Sequence, residues 1–162
     1  RDVFAKGDVV FRTGDYLVMD ELGYFYFKDR IGDTFRWKGE NVSTAEVESV
    51  ISNLCDLKDC VAFGVTVPGT DGRACMVVLA DTQKTLELND LADGIYRNLP
   101  SYARPMFLRV TLQIESTGTH KMIKRELQEE GYNVTIVQDP LFFYTNGKYV
   151  TLDDDLYQKI MH

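Results

Sequence analysis

The chain has 162 residues, 44% hydrophobic and 27% charged, with a formal net charge of −7. That length and balance fit a soluble globular domain with room for the edge of another, and exclude a disordered or fibrous polymer. The negative charge argues against nucleic-acid binding, which depends on Lys and Arg neutralising phosphates.

The first thirty residues read as β, with short β-prone runs at 9–11, 16–19 and 24–27 separated by Thr13-Gly-Asp15 and Asp20-Glu-Leu-Gly23. The pattern breaks at Gly32, so 1–31 and 32–138 are expected to be different domains, with 139–162 as a tail. Ser43-Thr-Ala-Glu46 is a capping box, and Val47, Val50, Ile51 and Leu54 follow at helical spacing. Strands are expected at 59–67 and 74–80, joined by the turn Pro68-Gly-Thr-Asp-Gly72. A second helix is expected over about 90–99, with Leu91, Ile95 and Leu99 on one face and Pro100 beyond its end. A strand at 107–112 and a third helix at 121–130, capped by Gly131, complete an α+β unit whose mixed sheet is flanked by helices. In the tail, Asn146-Gly147 between two apolar runs predicts a hairpin.

Cys55, Cys60 and Cys75 form no CxxC pair and read as reduced, buried thiols of a cytosolic protein. No apolar run reaches the length of a bilayer, and no signal peptide is visible. Residues 104–125 hold Arg104, Arg109, Lys121, Lys124 and Arg125 against Glu115 alone. A solvated face is the plain reading of such a run, and a local anion site at Lys121 the sharper one.

Three blocks carry the chemistry. Phe11-Arg-Thr-Gly-Asp-Tyr16 sets one carboxylate, Asp15, on a turn. Lys28-Asp-Arg-Ile-Gly-Asp-Thr-Phe-Arg-Trp-Lys-Gly-Glu-Asn-Val-Ser43 adds Arg30 and Lys38 among glycines. Ser116-Thr-Gly-Thr-His-Lys121 adds a further lysine. A carboxylate that accepts from sugar hydroxyls, beside cations that offset phosphate, suits a ligand with a ribose diol and a phosphate. Lys121, Lys124 and Arg125 also crowd the first turns of a helix, where the macrodipole disfavours cations unless an anion sits there.

In that order the blocks resemble the carboxyl-terminal motifs of the adenylate-forming (AMP-binding) acyl-CoA synthetases. Phe35-Arg-Trp-Lys-Gly-Glu-Asn-Val-Ser43 is similar to the fatty acid transport protein and very-long-chain acyl-CoA synthetase branch, which also carries an aromatic tail. The resemblance implies a carboxyl-terminal fragment. Residues 1–31 would end the large AMP-binding domain, 32–138 would form the small mobile domain, and 139–162 the aromatic hairpin tail.

The roles it implies are specific. Asp15 would accept from the ribose hydroxyls of ATP and acyl-adenylate, Arg30 would contact ribose and phosphate, and Phe27 would lie near the nucleotide. Phe27 as a plain strand residue is an equal alternative. Gly32 would be the hinge between adenylation and thioester formation. Many members carry Asp or Lys there, but glycine absorbs a large backbone change without a Cβ clash. Trp37, Lys38 and Gly39 would form the loop that meets CoA, with Trp37 equally readable as a hydrophobic anchor. Lys121 would be the catalytic cation of adenylation, although His120 stands where glycine is usual.

The implied reaction is fatty acid activation by an acid–thiol ligase, with fatty acid, ATP and CoA as substrates. Mg²⁺ would be held in the missing part, no metal ligand is expected here, and the piece alone would be nearly inactive. The resemblance also implies a link to fatty acid uptake at the cytosolic face of a membrane, reached through the missing amino-terminal part. The alternative is a non-catalytic lipid-uptake or interaction module that retains the fold, favoured by the aromatic tail.

Overall fold

The computed structural model describes residues 15–30, 34–114 and 120–162, with the backbone alone at 15–16, 27–30 and 120–122. The strand expected at 9–11, the glycine of the Thr13-Gly14 turn, Gly32 and the loop at 116–119 lie outside the described residues. The chain divides into two compact units, Arg1–Asp33 and Thr34–His162.

In the first unit, β1 (Asp15–Met19) pairs antiparallel with β2 (Phe25–Arg30). Asp20 holds the turn between them: its carboxylate accepts from Leu22 N and Tyr24 N, each at 2.9 Å, and from the Tyr26 hydroxyl. The hydrogen bond from Tyr24 N leads the effects that keep this carboxyl below its usual pKa. Leu17, Val18, Met19, Leu22, Tyr24, Phe25 and Tyr26 are exposed within the unit, because a two-stranded ribbon cannot bury both of its faces.

The second unit opens with a hairpin, β3 (Thr34–Trp37) and β4 (Glu40–Ser43). Positive φ at both turn residues, 50° at Lys38 and 83° at Gly39, gives the turn handedness that matches strand twist. Phe35, Trp37 and Val42 point into the core. The hairpin is fastened to the loop before β6 (Ala74–Ala80), where Arg73 N donates to Arg36 O at 2.7 Å. A Cβ on Gly72 would meet that same carbonyl oxygen at 2.3 Å, so only glycine fits there.

Helix α1 (Thr44–Leu54) starts as its capping box predicts, with the Ser43 hydroxyl accepting from Glu46 N. Strand β5 (Cys60–Val65) and β6 are almost wholly apolar and buried, the signature of strands covered on both faces. The chain then crosses through α2 (Leu88–Asn98) to β7 (Phe107–Thr111), which runs parallel to β6. Helix α2 buries Leu91, Ala92 and Ile95, and starts two residues earlier than periodicity alone indicates. Helix α3 (His120–Glu130) follows, and Gly131 at φ 53° ends it.

The predicted Asn-Gly hairpin forms as β8 (Leu141–Thr145) and β9 (Lys148–Thr151). It completes a five-stranded mixed sheet in the order β5-β6-β7-β8-β9. The aromatic tail is therefore part of the sheet, with Tyr149 buried and Phe142, Phe143, Tyr144 and Tyr157 half-buried against the core. Phe107 of β7 stacks on Tyr132 with ring centroids 3.9 Å apart and lies 5.5 Å from Phe143 of β8. The Tyr149 hydroxyl donates to Pro105 O at 2.9 Å. A fourth helix, α4 (Asp154–Met161), sends Tyr157 edge-on against Tyr132. Its N-cap is Asp153, whose carboxylate accepts from Leu156 N.

The three cysteines are free. Desolvation pushes the Cys55 thiol up to about 11 and Cys60 to about 12, and raises Cys75 further still. All three are unreactive thiols at neutral pH, since the thiolate is the nucleophile.

Candidate functional site

Each candidate residue other than Gly32 has a backbone location among the described residues. Asp15 opens β1 and Arg30 closes β2, and the strand register places them directly opposite one another. A register shift between Tyr16 and Leu17 marks a bulge next to this pair. Bulges re-aim side chains and terminate pairing, and they recur beside active sites. Phe27 lies three positions before Arg30 on the same strand, opposite Leu17. The motif reading named Asp15 and Arg30 separately, and their level pairing is what the fold adds.

The Trp37-Lys-Gly39 segment is the tip of the β3–β4 hairpin. Trp37 is 6% exposed and belongs to the hydrophobic core, so it anchors the hairpin base. Lys38 and Gly39 are exposed at the tip, and the Lys38 ammonium lies 5.8 Å from the centre of the Trp37 ring. No atom comes within 4 Å of a Cβ built on Gly39, whose glycine is explained by its positive φ.

Lys121 is the second residue of α3. The basic stretch around it resolves into individual contacts. Arg104 closes the end of α2, donating to Leu99 O at 3.0 Å and Tyr96 O at 3.1 Å and lying over the Tyr96 ring. Arg109 pairs with Asp139 at 2.7 Å and with Glu130. Lys124 donates to the buried Thr44 hydroxyl at 2.8 Å, and Arg125 pairs along the helix with Glu129. Arg104, Arg109, Lys124 and Arg125 thus each have protein partners among the described residues.

Sequence reasoning gave no role to Thr44 or Glu48, although both hold the helix that carries Lys121. Thr44 stands eighty residues from Lys124, and no local spacing joins them. Among the described residues, no group of His, Cys, Asp and Glu side chains is disposed to hold a metal ion. No described helix is long and apolar enough to cross a membrane.

Residues 46–121 match the AMP-binding enzyme C-terminal domain. The fold is that of the corresponding part of coronafacic acid ligase from Pectobacterium brasiliense, at a TM-score of 0.67 and 20% identity over 83% of this chain and 26% of that one. A Mycobacterium tuberculosis fatty acyl CoA synthetase is similar at 29% identity and a TM-score of 0.57, over 74% of this chain and 24% of that protein. The match to that C-terminal domain lies within the unit formed by β3 to α4, which shares the ligase's fold.

The branch follows from sequence. The chain is 50% identical to long-chain fatty acid transport protein 1 of Bos taurus over 160 residues, 98% of this chain and 25% of that protein. The chain belongs to the fatty acid transport protein branch of the superfamily and corresponds to the carboxyl-terminal part of those relatives. It spans about a quarter of the length of the curated relatives it matches.

Proposed function

We propose that this chain is the nucleotide-closing part of an ATP-dependent fatty acyl-CoA synthetase. A fatty acid carboxylate attacks the α-phosphorus of ATP, releasing pyrophosphate and leaving a fatty acyl-adenylate. The thiolate of CoA then attacks the acyl carbonyl, and AMP leaves with the broken acyl–phosphate bond. Asp15 accepts from the ribose diol, and Arg30 offsets the α-phosphate beside it, with Phe27 against the nucleotide. Lys121 supplies a point cation where charge builds on phosphorus and on the carboxylate oxygen. Lys38 and Gly39 present an exposed hairpin tip to the pantetheine of CoA, with Trp37 as its buried foot. Gly32 is the hinge between the two half-reactions.

Mg²⁺ enters with ATP, and no residue of this chain is assigned to it. The working protein acts on fatty acid at the cytosolic side of a membrane, held there by parts of the protein outside these residues. Aromatic packing of the tail weakens the support for a non-catalytic module, because Tyr149 is buried and Phe143 and Tyr157 pack against core rings.

The observation that carries the reading is the register of Asp15 against Arg30, which sets an acid and a guanidinium residue level on neighbouring strands. Asp15→Ala in the full-length chain removes a charge-assisted acceptor worth about 1.5–3 kcal/mol, a KM for ATP raised roughly 10- to 150-fold. Steady-state kinetics with ATP varied at saturating fatty acid measures it. An unchanged KM would mean that the pair only ties the hairpin together.

A further inference from the structure

Lys124 is an unusual lysine. Its side chain is 11% exposed, lies within the fold and donates to Thr44 Oγ1 at 2.8 Å. The Glu48 carboxylate is 4.0 Å away, and its Oε1 accepts from Ala62 N on the outer edge of β5 at 2.8 Å. Thr44 is itself 2% exposed and stands at the start of α1, directly after the β3–β4 hairpin. The brace therefore links three elements: α3, the amino end of α1 and the edge of β5.

Two further ties continue it along α3 at four-residue intervals. Gln128 Nε2 donates to Gly64 O at 2.7 Å, and the Tyr132 hydroxyl, just beyond the helix, donates to Thr66 O at 3.0 Å. Residues 124, 128 and 132 form one stripe, so α3 is seated on β5 by directional polar contacts. These contacts also occupy the open edge of the sheet.

Stability alone gives a weak reason for a lysine at this place. A buried ion pair replaced by apolar residues of similar volume often leaves stability unchanged or improved. A methionine would fill the same space. What methionine lacks is a donor that fixes both the rotation and the axial position of α3 against Thr44.

We infer that Lys124, through Thr44 and Glu48, is a positioning residue for Lys121, setting the first turn of α3 where adenylation requires its cation. Lys121 lies three residues upstream, less than one helical turn away. The inference rests on the adenylation role of Lys121 proposed above. It adds that this role depends on a brace eighty residues distant in sequence.

The test uses the full-length chain and two independent changes. Lys124→Met combined with Glu48→Gln removes both charges, while the glutamine carbonyl can still accept from Ala62 N. Thr44→Val keeps the shape and removes only the acceptor, and so serves if the first variant folds poorly. A displacement of about 1 Å can cost on the order of 10²-fold in rate, so both variants should lose about 10- to 100-fold in kcat for fatty-acid-dependent ATP–pyrophosphate exchange. The KM for ATP should stay within about twofold, and thioester formation from supplied acyl-adenylate should hold at the parent rate, because only the adenylation geometry is disturbed.

Hydrogen exchange supplies a readout apart from activity: protection of the α3 amides should fall while that of β6 persists. Parent-like kcat in both variants, with or without a change in protection, would overturn the inference, as would equal loss in the two half-reactions. Lys121→Ala, assayed alongside, separates the two claims. If it spares exchange, the adenylation reading fails and the inference falls with it. If it abolishes exchange while the brace variants do not, only the inference fails.

Discussion

Lys121→Ala in the full-length chain is expected to lower acyl-CoA formation from fatty acid and ATP by about 10²–10³-fold, the usual cost of losing one preorganised electrostatic contact. The loss should fall on the adenylation half-reaction. Thioester formation from a supplied acyl-adenylate should stay near the parent rate, since it is assigned to the other domain orientation, with the Lys38–Gly39 tip at the site. Lys121 is the second residue of α3, where a cation opposes the macrodipole, so stability should be unchanged or slightly higher in the variant. Stability and adenylation moving in opposite directions would mark a group kept for chemistry. Pyrophosphate exchange and single-turnover thioester formation measure the two steps. An Ala variant that makes acyl-adenylate at the parent rate would remove Lys121 from the mechanism.

Phe107→Ala is expected to have the largest effect on folding. Phe107 is fully buried in β7, opposite Met76 of β6 on one side and Phe143 of β8 on the other. It therefore sits where the β5–β6–β7 layer meets the terminal hairpin. Its ring lies nearly parallel to that of Tyr132, at an interplanar angle of 7°. Aromatic pairs favour offset or edge-on geometry over a close face-to-face sandwich, so most of the contribution comes from burial and not from the ring–ring term. Removing a buried Phe and leaving a cavity costs about 3–5 kcal/mol. Urea unfolding of the parent and variant chains measures it, with Phe107→Leu expected to recover most of the loss. A cost under about 1 kcal/mol would show that the terminal hairpin does not share the core, since a fully buried Phe that shares it cannot be lost so cheaply.

Much of this architecture is written locally. The Ser43 cap and its apolar periodicity, the apolar runs of β5 and β6, and the Asn146-Gly147 turn each carry their own short-range instruction, and each forms as expected. Two elements were illegible for identifiable reasons. The β3–β4 hairpin turns on Lys38-Gly39, where lysine adopts the positive φ that asparagine or aspartate more often supplies. Helix α4 begins in Asp153-Asp-Asp155, which reads as a charge run until one carboxylate is seen to cap the helix and the others to face its positive end.

The candidate site divides in the same way. Asp15, Arg30 and Lys121 stand in motifs and can be named from sequence. The register that sets Asp15 level with Arg30 depends on a bulge at Tyr16/Leu17, which no residue there announces. The Lys124–Thr44–Glu48 brace is a tertiary fact with no local signal at all. Trp37 could be read as a ligand contact or an anchor with equal justice, and its burial makes it the anchor.

The central claim is that this part belongs to an enzyme which makes a fatty acyl-adenylate as a free-standing intermediate. The most direct measurement incubates the full-length chain with fatty acid, ATP and Mg²⁺ in the absence of CoA and looks for the mixed anhydride by mass spectrometry. Fatty acyl-AMP should appear with one pyrophosphate released per molecule, and adding CoA should convert it to fatty acyl-CoA and AMP. Fatty acid bound by the protein with no acyl-AMP formed would contradict the claim and restore the non-catalytic lipid-uptake module.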